Sequence, residues 1–289
     1  MKKNFLCKSL CYFLLSVVII FNFSSCKHND DIAPEDNLDF TTTTDYSTTS
    51  KNNSNLFATI NYYLNQIEEG NKSQDSVVIT VTPQEPDSFP KTITIDFGTG
   101  VVCYDGYTRK GKIILYLTGR WALEYVQPNT TILAEFDNYY IKPPNSPDFI
   151  KREGQFSTTY NGRDSSDHPV YVRDAIDAKL IFSDGTFIHW NASHICTWME
   201  GYETQLNIYD NVWKIEGASS GTNRNGRQYQ TNITSPLIFD RTCNNGTITQ
   251  GVLIVSPENL PQRTINFGNG NCDNTIVITV NGNNYTINN

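Results

Sequence analysis

Gly217-Ala218-Ser219-Ser220-Gly221 has the G-x-S-x-G spacing of a nucleophile elbow. That chemistry needs a helix directly after the serine and a histidine later in the chain to take its proton. Thr-Asn-Arg-Asn-Gly follows instead, and the last histidine, His194, lies upstream. Ser219 is therefore expected in a turn. His189, His194 and Cys196 are close enough in sequence to suggest a metal. In a strand, His194 and Cys196 share a face while His189 takes the other, so one ion cannot easily meet all three. Asn269, Asn271 and Asp273 alternate near glycines and offer oxygen ligands, but their spacing fits neither an EF-hand loop nor a glycine-aspartate repeat. Carboxylates are plentiful, yet no spacing isolates an acid–base pair for glycoside cleavage. The residues name no catalytic group, metal or cofactor, and the expectation is a protein that is not an enzyme.

Aromatic side chains are the better functional signal. The chain carries 16 Tyr and 4 Trp. Trp190 and Trp198 fall on one face of a predicted strand, with Tyr202 just beyond. Exposed rings of this kind stack on sugars and mark binding surfaces. The same rings also suit a β-core, and Ile188 and Ala192 share the Trp190 face. Trp190, Trp198 and Tyr202 are the candidate contacts for a glycan or another surface ligand. Nucleic acid is not an expected partner. The sequence carries a net charge of −8, and its densest basic group is only Arg109, Lys110 and Lys112.

The elements that must position these residues are mostly strands. Ser54 to Glu69 is the persuasive helix: Leu56, Phe57, Ile60, Tyr63, Leu64 and Ile67 make one apolar stripe, Ser54 can cap its start and Gly70 follows its end. Beyond residue 75 the spacing predicts strands at Val77–Thr82, Thr92–Phe97, Lys112–Thr118, Thr131–Tyr139, Val170–Phe182, Thr186–Trp198, Val212–Gly217, Arg227–Ile233, Ile248–Val255, Arg263–Phe267 and Thr275–Val280. In Val170–Phe182 the even positions, from Val170 to Phe182, read as the buried face, with Asp174 a misfit. No long helix separates the strands, so a parallel α/β sheet is excluded. The expected class is all-β, a β-sandwich or a strongly curved antiparallel sheet with one N-terminal amphipathic helix. The phrases Thr94-Ile95-Asp96-Phe97-Gly98-Thr99-Gly100 and Thr264-Ile265-Asn266-Phe267-Gly268-Asn269-Gly270 repeat one pattern. Each reads as a strand running into a glycine turn, a cysteine and a return strand.

Residues 1–25 read as a secretory signal: Lys2 and Lys3, an apolar run from Leu10 to Phe23, then small residues before Cys26. The stretch Phe23-Ser24-Ser25-Cys26 resembles a bacterial lipobox. The resemblance implies cleavage before Cys26, a lipid on its sulfur, and so a membrane as partner. Residues 26–53, rich in Thr, Asn, Asp and Ser, read as a flexible tether. Asp30-Asp31 resembles a surface-export signal of Bacteroidetes lipoproteins, which implies an outer-membrane, cell-surface address. Residues 54–289 then form the β-rich region, as one domain or as two divided near 145, where Pro143, Pro144 and Pro147 cluster. Once Cys7, Cys11 and Cys26 are set aside, four cysteines remain. An even number in an exported chain suggests two disulfides. Cys243 and Cys272 flank one predicted meander and are the favoured pair, which leaves Cys103 with Cys196.

The string from Thr92 to Gly119, together with Ser183 to Trp190, Ile215 to Tyr229, Ser235 to Phe239 with Cys243, and Arg263 to Asn274, resembles a group of uncharacterised Bacteroidetes lipoproteins. The resemblance implies a shared fold and a cell-envelope address, and no reaction. Asp75-Ser76-Val77 also resembles an O-glycosylation acceptor of that phylum, with Ser76 the acceptor. Two functional classes follow: a lipid-anchored binding module for a glycan or surface ligand, or an accessory envelope protein touching other membrane proteins. A hydrolase ranks below both.

Overall fold

In the computed structural model, one helix is followed by a long run of strands. The structure describes residues 39–68, 70, 76–243, 246–273 and 275–288. The signal segment, Cys26 and Asp30-Asp31 lie outside the described residues. The elements are α1 (Thr41–Glu68), β1 (Val78–Thr82), β2 (Lys91–Asp96), β3 (Val101–Val102), β4 (Thr108–Leu117), β5 (Thr131–Lys142), β6 (Ile150–Arg163), β7 (Pro169–Ile181), β8 (Phe187–Glu200), β9 (Val212–Thr222), β10 (Gln228–Asp240), β11 (Thr247–Pro257), β12 (Arg263–Asn269), β13 (Thr275–Val280) and β14 (Asn283–Asn288). Apart from the two-residue β3, which flanks β4, each strand pairs antiparallel with its predecessor, giving one continuous meander. β1 and β14 stand at its two ends, and the sheet is open. The all-β expectation holds. No division appears near 145: β5 and β6 pair directly across it, at Ile141 and Ile150, and the described residues belong to one compact unit.

The inner face of the sheet is coiled around α1. Leu56, Phe57, Ile60, Tyr63 and Leu64 pack with Ile93, Ile95, Ile113, Leu115, Phe156, Tyr171 and Trp213. Tyr46, nearer the helix start, packs with Leu237, Leu253, Val255, Ile265 and Ile278. One helix of about 42 Å thus touches strands that, laid flat, would span about 60 Å. Bulges supply the curvature. At Gly111 and Gly154 an added Cβ would sit 1.9 Å from the Asn138 carbonyl oxygen and 2.3 Å from that of Asp177. Only glycine lets the partner strand come so close, and the register slips at both places.

Three sequence expectations are corrected. First, α1 begins at Thr41, not Ser54, so residues 41–53 are helix and not flexible tether. Their helix propensity is low, but tertiary contacts override it. The Asp45 carboxylate, fully buried, accepts from the Arg224 backbone N–H (2.8 Å) and Nε (2.7 Å). Asn223 donates to Thr42 Oγ1, Asn225 to Thr41 Oγ1, and Arg152 donates to Asn52 and Asn53. The start of the helix itself is capped by Asp39, which accepts from the Thr41 N–H. Second, β7 buries Tyr171, Arg173 and Ala175, with Val170, Val172 and Ile176 facing out. The inward face changes to Ala178 and Leu180 only after the bulge at Ile176–Asp177. Third, the long strand β6 was not anticipated, because its inward positions include Arg152 and Thr158.

The repeated phrase is architectural. Asp96 Oδ1 accepts from Gly98 N at 2.8 Å, and Asn266 Oδ1 accepts from Gly268 N at 2.9 Å. Phe97 and Phe267 are both buried. Each copy closes the outgoing strand of an antiparallel pair, β2 with β4 and β12 with β13.

Candidate functional site at the loop rim

The tryptophans singled out from sequence are core residues. Trp190 is 1 % exposed and lies beneath the Arg152 guanidinium, 5.6 Å away. Trp198 is 3 % exposed, stacks on Trp213 at 4.8 Å and donates from Nε1 to Asn211 Oδ1 at 3.1 Å. In this fold neither can stack on a sugar. Tyr202 is half-buried at the rim, edge-on to Trp198 and His168 and beneath Arg163. Ser76 is exposed, while Asp75 lies outside the described residues.

Cys243 and Cys272 form a disulfide with a Cα–Cα distance of 5.3 Å. Cys103 and Cys196 do not pair; both are free and buried. Cys103 lies in the β2–β4 connection, packed with Tyr63 and Arg109, whereas Cys196 faces inward from β8 beside Arg173. Burial raises both thiols above the ordinary value, which makes them poor nucleophiles. Ser219 lies inside β9, not in a turn, and its Oγ is 2.6 Å from Thr231 Oγ1. The flanking Gly217 and Gly221 let β9 approach β8: a Cβ at either would collide with the carbonyl of Ser193 or His189. His194 and Cys196 do face one interior space, and His189 points away from it. Among the described residues, no cluster of His, Cys, Asp and Glu is placed to hold a metal ion.

Sequence reasoning missed the open concavities. Two clefts meet at Glu68, at the C-terminal end of α1. The first, about 630 Å³, runs between α1, β1, β2 and the loop of residues 83–90. The second, about 570 Å³, lies between the loops of residues 118–130 and 201–211.

Their walls are held by polar ties. Lys91 Nζ donates to the carbonyls of Pro83 and Glu85 and lies 5.2 Å from the Phe89 ring centre, fastening the first loop to β2. Trp121 donates from Nε1 to Asn61 Oδ1 at 2.8 Å, fastening the second loop to α1. Arg120 links these two loops, 3.5 Å from Asp87 and 4.9 Å from the Tyr125 ring centre. The third loop contains a short 3₁₀ turn, Ile208–Asp210, capped by Asn207. Asp210 Oδ2 accepts from Thr204 and Asn207.

The clefts are amphipathic. Phe89 and Trp121 line the first, and Tyr125, 52 % exposed, stands in the second. The second also presents the exposed carboxylates of Glu68, Glu124 and Glu203, with the Arg120 guanidinium over the Tyr125 ring at its margin. Such a surface accepts hydrogen bonds from hydroxyls or amines and repels anions. No family model, no curated protein and no solved structure matches this chain.

Proposed function

We propose that the protein is a lipid-anchored cell-envelope module that binds a neutral glycan in the paired rim clefts without catalysis. The observation that carries this reading is the pair of adjoining open clefts, in which the exposed Tyr125 ring stands among Glu68, Glu124 and Glu203. An aromatic face packs against the C–H face of a sugar, and carboxylates accept from its hydroxyls. The acid-rich wall of the second cleft favours a neutral glycan over an anionic one there, while Lys91 and Arg120 line the first. Anchoring through Cys26 and outer-membrane surface display rest on the residues of the signal segment and the Asp30-Asp31 pair. The non-catalytic reading is supported by the burial of the reactive candidates Cys103 and Cys196 and by the placement of Ser219 inside a strand.

The test is native gel electrophoresis through gels containing neutral or acidic polysaccharides. Retardation by a neutral glycan, lost in Tyr125→Ala and retained in Tyr116→Ala on the outer sheet face, is the expected result. Retardation unchanged in Tyr125→Ala, or no retardation by any glycan, overturns the assignment.

A second reading is favoured by β1, which among the described residues leaves an unpaired sheet edge and an exposed Val78. Such an edge can add a strand from an envelope protein. The helix cannot serve that role, because its apolar stripe is buried under the sheet.

A further inference from the structure

Among the described residues, Arg173 is a buried cation without a counter-charge. It is 6 % exposed, and its guanidinium lies 3.6 Å from the Phe57 ring centre and 4.0 Å from that of Trp213. Its Nε and Nη2 have no hydrogen-bond partner. Two other inward arginines are held by side-chain partners. Arg109 is paired with Asp105 at 2.6 Å, and Arg152 donates to Asn52 and Asn53.

Arg173 borders an enclosed space of about 30 Å³ between α1 and strands β6 to β11. Tyr46 and Ser50 close it from the helix, and His194 and Cys196 close it from β8. His194 Nε2 is likewise buried and unpartnered. Among the described residues, no carboxylate lines the space. Asp174, whose charge acts on His194, belongs to the opposite face of β7. The Arg173 guanidinium therefore brings unsatisfied N–H donors, and His194 a buried unpartnered ring nitrogen, to the lining of one cavity, where unpaired polar atoms are costly.

We propose that this cavity binds one small monovalent anion of the halide class, held by Arg173 Nε–H and Nη2–H and by His194 Nε2–H. Charge sets the valence: Arg173 supplies one positive charge, while burial keeps the imidazole and the Cys196 thiol neutral at pH 7. Volume sets the size. The space is about that of two water molecules, which admits a halide and excludes a carboxylate-bearing metabolite or a phosphate ester. Water alone would satisfy the donors but leave the charge uncompensated. A comparable space beside the unpartnered Nε of Arg241 is only about 10 Å³ and is too small for an ion.

The experiment is thermal unfolding of the wild-type protein in sodium chloride and in sodium gluconate at matched ionic strength. It is paired with crystals soaked in sodium bromide. A saturable rise of the melting temperature with chloride, absent with gluconate, is expected, because a ligand bound to the native state shifts unfolding by mass action. A bromide anomalous peak within hydrogen-bond reach of Arg173 Nε is expected with it. His194→Gln should weaken the chloride response, and Arg173→Met should abolish it if it folds. Superimposable melting curves in the two salts, with only water-level density in the cavity, overturn the proposal whether or not either variant folds.

Discussion

Acidification should loosen this fold through one side chain. Burial, reinforced by the nearby positive charge of Arg173, pushes His194 from its ordinary 6.5 down to about 4; Asp174 opposes this only weakly. The folded protein therefore resists protonation at His194, and the unfolded chain does not. Between pH 6.5 and about 4 the unfolded state binds the extra proton, so stability falls as pH falls through that window. The drop of roughly two and a half pH units corresponds to about 3 kcal/mol. Urea unfolding at about pH 7.5 and about pH 4, in halide-free buffer, reads this directly through the linkage relation. His194→Gln keeps a polar side chain of similar size without the titration. Carboxylates protonate in both proteins over the same range, so the difference between the two pH dependences isolates His194. The wild type should lose about 3 kcal/mol more than the variant on acidification. Identical pH dependences would show that His194 is solvated in the folded state and would refute the enclosed interior described here.

Other predictions concern the parts that hold the site. Asp45→Ala should cost about 2 kcal/mol, since it strips the Arg224 N–H groups of their acceptor, and hydrogen exchange should show residues 41–50 losing protection first. Gly111→Ala should destabilise strongly, because its Cβ would stand 1.9 Å from the Asn138 carbonyl oxygen; a melting temperature close to wild type would refute the bulge. Removing the Cys243–Cys272 bridge, which spans 29 residues, should cost about 3 kcal/mol. Peptide mapping without reduction should find those two cysteines linked, and Cys103 and Cys196 alkylated only in denaturant. Trp198→Ala should cost about 3–5 kcal/mol yet leave glycan affinity of the folded fraction unchanged, the reverse of Tyr125→Ala.

Strand positions were legible where apolar alternation was clean, as in Ile113, Leu115 and Leu117 or Ile276, Ile278 and Val280. The meander followed from short turns and from the lack of crossover helices. What stayed hidden was hidden by polar groups doing structural work. Arg173 reads as an outward residue, but two aromatic rings and a cavity receive it, so the face of β7 came out inverted. Residues 41–53 read as a linker because Thr, Asn and Asp rarely drive a helix; here they bond to the β9–β10 turn and to Arg152. The Cys103–Cys196 pairing was inferred by elimination, and elimination carries no information about distance. The site was missed for a different reason. The rim clefts are built from three loops far apart in sequence, and nothing in the spacing of Phe89, Trp121, Tyr125 and Glu203 announces that the curl of the sheet gathers them around the end of α1.

The most direct test of the binding claim is a hydrogen-exchange footprint of the protein with and without a saturating neutral polysaccharide. Binding in the rim clefts predicts slowed exchange in residues 84–91, 118–125 and 203–207, with β7 and β8 unchanged. Protection confined to the outer face of β7 and β8, to the β1 edge, or to no segment at all would contradict it.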